Sequence, residues 1–316
     1  MFTFLQPETF QGRSAQAPYF EEWYFHLHNG KQTLALTPGI CYAPKPFAYL
    51  QIAEPAQHLV HFYRYSIKDF HARPGRFNFS LGRHLFSSEQ ILLNGNGWQG
   101  EVDFTERVPF SEKRYHTGMM GPFAFYPKMS CKHAVITIQS PLSGAFFHQE
   151  EPYVFSGGNG YVEKDWGKTF PRPYLWIQAH FPLGTFTLSL ARLSVLGGMH
   201  TGALVLLYTQ GKRFFSSNCS GLHLTHLTQT EDQVWHLQFS LPTCNLALSF
   251  SVSTESLSIR VPSLHGVNRQ VKEDFQAPLS LRFYSKHGQT LFSTQTTQAI
   301  VETDGDLHAL LPLTME

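Results

Sequence analysis

Short runs of alternating apolar and polar residues, each closed by a turn signal, recur along the whole chain. Tyr19 to Leu27 alternates and is aromatic, Asn29-Gly30 is a strong hairpin signal, and Lys31 to Thr37 resumes the alternation until Pro38-Gly39 breaks it. Ala48 to Ala53, Leu59 to Tyr65 and Phe77 to Leu81 read as further strands. Ser87 to Leu93 and Gly100 to Arg107 flank a second hairpin signal, Asn94-Gly95-Asn96-Gly97. Met129 to Ser140, Leu142 to Phe147 and Tyr153 to Phe155 follow. Beyond Pro182 the spacing predicts strands at Phe186 to Val195, Ala203 to Tyr208, Lys212 to Ser217, Gly221 to Leu227 and Gln233 to Leu241. It continues with Leu246 to Val252, Leu257 to Val261, Leu279 to Ser285, Gln289 to Thr296 and Gln298 to Thr303. No segment keeps a period of 3.6 over four turns; Leu264 to Phe275 is the best helical candidate. Strands at this density predict an all-β protein of two calycin- or lipocalin-like antiparallel β-barrel or β-sandwich domains, 1–170 and 171–316.

Composition narrows this picture. A length of 316 residues favours two cores over one. Aromatics at 15% with 28 Phe are high and charged residues at 15% are few, which suits either bulky barrel interiors or an apolar ligand cavity lined with rings. The net charge of +1 gives no case for nucleic acid. No apolar run reaches the length of a membrane span, and the N-terminus lacks the basic and apolar regions of a secretory signal; residues 1–17 read as a leader segment of little periodicity. Four cysteines without CxxC spacing (Cys41, Cys131, Cys219 and Cys244) read as reduced thiols in a cytoplasmic protein.

The candidate chemistry gathers in Gly157 to Pro182, GGNGYVEKDWGKTFPRPYLWIQAHFP, a turn-rich stretch of charges and indoles unlike a packing strand. If it is extended, Glu163 and Asp165 share a face with Lys164 opposite. Two carboxyls side by side next to Trp166 would hold one proton near neutral pH. The plainer reading is a charged surface turn. Trp23, Trp166 and Trp176 could stabilise a cation, although core packing accounts for any single one of them. Glu21-Glu22-Trp23-Tyr24 repeats the acid and aromatic pattern; Trp23, Phe25 and Leu27 are expected inward, with Tyr24, His26 and His28 on the other side. Of 17 histidines, His26-x-His28, His58-x-x-His61 and His223-x-x-His226 have ligand-like spacing but no HExxH or matching acid, so structural roles are favoured and no metal is expected. His133, beside Cys131 ahead of an alternating strand, is placed to move a proton near neutral pH. There is no GxSxG elbow and no GxGxxG context.

GYVEKDWGKTFP with YLWIQAHF, PYFEEWYFHL at residues 18–27 and GPFAFYPKMSCKHAVITI at residues 121–138 together resemble the tocopherol cyclase family, closely over the first 180 residues and weakly beyond. The resemblance implies a paired lipocalin-like fold and closure of a ring from a prenylated hydroquinone: an alkene is protonated and a phenol oxygen added, with no redox cofactor. By that resemblance Asp165 or Glu163 is the proton donor, and His133, Tyr161 or Gln178 orients or deprotonates the hydroxyl. Trp23, Trp166 and Trp176 would stabilise the cation, and Glu22, Tyr24 and Lys164 would complete the substrate-binding set. The implied partner is an apolar, prenyl-lipid-type small molecule, with peripheral membrane contact possible. Two alternatives stay open: a non-catalytic lipocalin-like binder of an apolar ligand, and a carotenoid-hydratase-like lyase.

Overall fold

A computed structural model describes residues 5–127, 129–195 and 197–311. Residues up to Phe170, with Arg260–Arg269, form one compact unit; Pro171–Ile259 and the residues from Gln270 on form the other. In the first, strands run β1 (Tyr19–His28), β2 (Thr33–Tyr42), β3 (Phe47–Glu54), β4 (Leu59–Ser66), β5 (Phe70–Ala72), β6 (Asn78–Leu81) and β7 (His84–Ser87). They continue with β8 (Gln90–Gly95), β9 (Trp98–Phe104), β10 (Val108–Pro109), β11 (Cys131–His148), β12 (Glu151–Val154) and β13 (Asn159–Gly167). The second sheet comprises β14 (Tyr174–Phe181), β15 (Gly184–Val195), β16 (Gly198–Thr209), β17 (Lys212–Ser217) and β18 (His223–Gln229). Its later strands are β19 (Trp235–Ser240), β20 (Cys244–Phe250), β21 (Leu257–Ser263), β22 (Gly266–Ser285) and β23 (Thr290–Asp304). Short 3-10 turns link them, and among the described residues no helix is long and apolar enough to cross a membrane.

Strand order shows that each sheet rolls up. The first follows β4-β3-β2-β1-β13-β11-β9-β8-β7-β6-β5, with every pairing antiparallel. Laid flat, eleven strands would hold β4 and β5 about 48 Å apart. Yet only Ile67–Asp69 joins them, a link that reaches about 14 Å at full extension. The sheet therefore curls until its edges nearly meet. The second, β17-β16-β15-β14-β23-β22-β20-β19-β18, does the same, since Asn218–Leu222 alone connects its two edge strands. No pairing among the described residues completes either ring.

The inner face of each roll is the apolar core. In the first it holds Trp23, Phe25, Leu27, Leu50, Ile52, Phe79, Phe86 and Val162, with rings in contact: Trp23 lies 4.3 Å from Phe79 and Phe79 5.3 Å from Phe86, centre to centre. The abundance of Phe is spent here on packing. In the second, Leu175, Ile177, Phe186, Leu188, Leu246 and Val301 do the same work.

Several expectations change. The turn-like stretch Gly157 to Pro182 contains β13, a central strand, and β14; its charges fit because alternate residues go to opposite faces of a sheet buried on both. Pro38-Gly39 does not end β2: the strand continues to Tyr42, and only the bridges opposite Pro38 and Thr37 are missing from its ladder with β1, as a residue lacking an N–H dictates. Leu264 to Phe275 is no helix but the β21–β22 turn and the first half of β22, where Val267, Val271 and Phe275 are buried. The runs expected from Met129 to Phe147, and from Gln289 to Thr303, each fuse into one long strand. Of the leader segment, residues 1–4 lie outside the described residues; from Leu5 to Pro18 there is no strand.

Candidate active site

β13 is paired with β1 on one side and β11 on the other, and the register decides which side chains meet. Trp23 lies opposite Lys164 and Glu21 opposite Trp166, on the inner face. Glu22 lies opposite Asp165, Tyr24 opposite Glu163 and His26 opposite Tyr161, on the outer face; His133 of β11 adjoins Asp165 there. Three strands thus bring Glu22, Tyr24, His133, Tyr161, Glu163 and Asp165 onto one surface. Most of it is shielded from solvent: Glu163 is 5% exposed and His133 9%, with Tyr24 and Asp165 partly buried.

The outer-face groups are coupled. His133 Nδ1 stands 3.2 Å from Asp165 Oδ1, and its Nε2 faces Glu163 Oε2 at 3.7 Å. That Nε2 is buried and has no hydrogen-bond partner. The Tyr161 hydroxyl donates to Glu163 Oε2 at 2.6 Å, and the Cys131 thiol to Asp165 Oδ1 at 3.6 Å. Burial disfavours a charged imidazole, but the carboxylates of Asp165 and Glu163 outweigh it and push His133 up to about 9. Burial, with the Asp165 charge second, holds the Cys131 thiol well above its usual range. Beside this group the Tyr49 phenol donates to Glu22 Oε2. Gly39 makes room for it: a Cβ there would come within 2.7 Å of the Tyr49 ring and 2.8 Å of Glu22 Cβ. Burial and then Glu22 keep the Tyr49 phenol protonated far above its ordinary range. Val267 of the Arg260–Arg269 segment packs with Cys41, Phe47 and Tyr49 at the edge of this surface.

The inner-face group is of another kind. Lys164 is fully buried, and its ammonium donates to Glu21 Oε1 at 2.6 Å, Pro7 O at 2.8 Å and Thr9 O at 2.6 Å, which uses all three of its hydrogens. Glu21 in turn accepts from the Gln11 and Gly12 amides and the Tyr19 hydroxyl. The aperiodic leader is thus tied down through its backbone. The ammonium lies 5.0 Å from the Trp23 ring and 4.6 Å from the Trp166 ring, so the cation these two indoles stabilise is the protein's own. Burial pulls Lys164 below its usual pKa against the opposing pull of Glu21.

Of the expected residues, then, Glu22, Tyr24, His133, Tyr161, Glu163 and Asp165 come together, while Trp23, Lys164 and Trp166 lie on the far side of the same sheet. Trp176 and Gln178 belong to the second unit, on the β14 face that also carries Tyr174, opposite Glu302 and Ile300 of β23. Tyr49 was not anticipated; it reaches Glu22 through two strand pairings, and the only local hint is a glycine inside an otherwise apolar strand.

Two groups among the described residues bring three metal-capable side chains within 4.8 Å: His133, Glu163 and Asp165, and separately Glu54, His61 and His148. In the first, opposite nitrogens of one imidazole address the two carboxylates, so the donors bracket a ring and do not converge on a point; that arrangement suits proton transfer better than chelation. A separate polar cleft of about 420 Å³, lined by Glu8, Arg76, Glu89, Arg107 and His116 among others, includes none of the outer-face acids.

Two rolled antiparallel sheets with a buried acid–imidazole cluster define a lipocalin-like all-β protein. The sequence matches the model of the tocopherol cyclase-like family over residues 98–305, well over half of the chain, and the protein belongs to that family. The match begins beyond the PYFEEWYFHL segment and runs through the second half, so the family likeness extends further toward the C-terminus than the motifs suggest. Among solved structures the chain is similar to CghA with Sch210972 at 9% identity, covering 92% of this chain and 89% of that one with a TM-score of 0.58; CghA alone gives 0.57. Kievitone hydratase from Nectria haematococca is 10% identical over 93% of each chain with a TM-score of 0.45. At such identities the likeness to CghA establishes the fold alone. None of the curated proteins matches the sequence.

Proposed function

We propose that the protein is a cofactor-independent intramolecular lyase that cyclises a prenylated hydroquinone or related isoprenoid by adding a hydroxyl across an alkene. Asp165 is the proton donor: its side chain, 14% exposed against 6% for Glu163 and 11% for His133, is the most accessible of the three. The proton it delivers comes from Nδ1 of His133, which is charged below about pH 9. The proton forms a C–H bond as the π bond breaks. The hydroxyl oxygen closes the C–O bond at the other carbon, and Glu163, held by Tyr161, takes the hydroxyl proton. Glu163 releases that proton to solvent and His133 takes one back at Nδ1, so the net change is an isomerisation with no electron transferred. Glu22 and Tyr24 flank the acids and contact the substrate. Trp23, Lys164 and Trp166 support the sheet from behind.

The observation that carries this reading is the imidazole bracketed by two carboxylates on a face shielded from water, where a proton is held but not locked by a full set of hydrogen bonds. The test is conversion of a prenylated hydroquinone in deuterium oxide, followed by mass spectrometry. The expected product is an isomer carrying one carbon-bound deuterium. A product without that label rejects alkene protonation, a product heavier by one water makes the enzyme a hydratase, and tight binding without conversion makes the protein a carrier.

A further inference from the structure

At one rim of the first roll, the β3–β4, β8–β9 and β11–β12 turns come together. Their ends carry Glu54, Trp98 and His148, and His61 follows in β4. The pairing places all of these side chains on the inner face: His61 lies opposite Ile52, two residues before Glu54, and His148 is opposite Trp98. We propose that Glu54, His61 and His148 form a binding site for a divalent transition metal of the zinc class, separate from the outer-face acids.

The donors converge. His61 Nε2 is 2.5 Å from Glu54 Oε1, and His148 Nδ1 is 3.2 Å from the same oxygen. Ligand atoms about 2.1 Å from a tetrahedral ion stand about 3.4 Å apart, so the His61–Glu54 contact has to open by less than about 1 Å. The rings are already aimed. His148 stacks on Trp98 at 4.2 Å with planes 5° apart, and His61 on Tyr63 at 5.8 Å and 2°. The Tyr153 hydroxyl donates to Glu54 Oε2, which fixes the carboxylate and leaves Oε1 for the ion. Two imidazoles and one carboxylate favour zinc-like ions over calcium or magnesium, which want more oxygens. Side-chain exposures of 2% for Glu54, 11% for His148 and 25% for His61 leave the His61 side open to solvent, where water completes the shell.

The experiment strips the full-length protein with a chelator, dialyses it against Zn²⁺ in excess Mg²⁺, and counts retained zinc. Co²⁺ in place of zinc reports coordination by its visible absorption. One ion per chain is expected, with the intense bands of a low-coordinate cobalt site. Affinity should fall more than about 100-fold in H61Q and H148Q, and about tenfold in Y153F. Should H148Q fail to fold, H61Q decides, because that residue sits half-open on an edge strand. Absence of retained zinc overturns the site. So does zinc or cobalt binding that survives both histidine substitutions, since it then belongs to other histidines.

Discussion

The two faces of β13 bury charge in opposite ways. On the inner side every hydrogen of the Lys164 ammonium has an acceptor, and Glu21 is filled by backbone amides and a phenol. On the outer side His133 sits between two carboxylates with one nitrogen unbonded and contacts of 3.2 and 3.7 Å. A saturated network of this kind fixes structure, because no member can gain or lose a proton without stranding another. An unsaturated one stores a proton that can move. Four consecutive residues of the same strand, Glu163 to Trp166, serve both purposes, and the pleat keeps them apart.

The comparison can be broken by substitution. Asp165→Asn should lower turnover by about 10²- to 10⁴-fold while the melting transition survives, since it removes the donor from the unsaturated side; steady-state rates on a prenylated hydroquinone check it. Lys164→Met should do the reverse, costing about 3–5 kcal/mol of stability by leaving Glu21 buried without its partner, read from urea unfolding. The third expectation concerns pH. His133 is pushed up to about 9 in the fold against an ordinary value of 6.5, so its contribution is complete below pH 6.5 and disappears as pH rises through about 9. Unfolding free energies measured from pH 6 to 10 should therefore lose at most about 3 kcal/mol from this group, and less in Asp165→Asn. Tyr161→Phe, which removes one donor to Glu163, should slow turnover about tenfold, equivalent to about 1.4 kcal/mol.

Much of this was legible in sequence. Alternation and Gly or Asn turns located most strands, and period-2 reasoning alone put Glu163 and Asp165 on one face with Lys164 behind. It also sent Trp23, Phe25 and Leu27 inward, where they are. What one sequence did not carry was register. Nothing near Glu22 announces Tyr49, nothing near Lys164 announces the carbonyls of Pro7 and Thr9, and Glu54 lies 94 positions from His148. Trp166 stands beside Asp165 in sequence, but adjacency in a strand means opposite faces. Leu264 to Phe275 looks helical in sequence because Val267, Val271 and Phe275 are four apart; in β22 they share one face with Arg269 and Glu273 between them.

The most direct test of the central contrast is the titration of His133 followed by NMR of nitrogen-labelled imidazole in the unmodified protein and in Asp165→Asn. The account predicts that His133 stays charged until about pH 9 and that the substitution brings its titration down toward or below 6.5. A His133 that titrates near 6.5 in the unmodified protein, or that ignores the loss of Asp165, would contradict it.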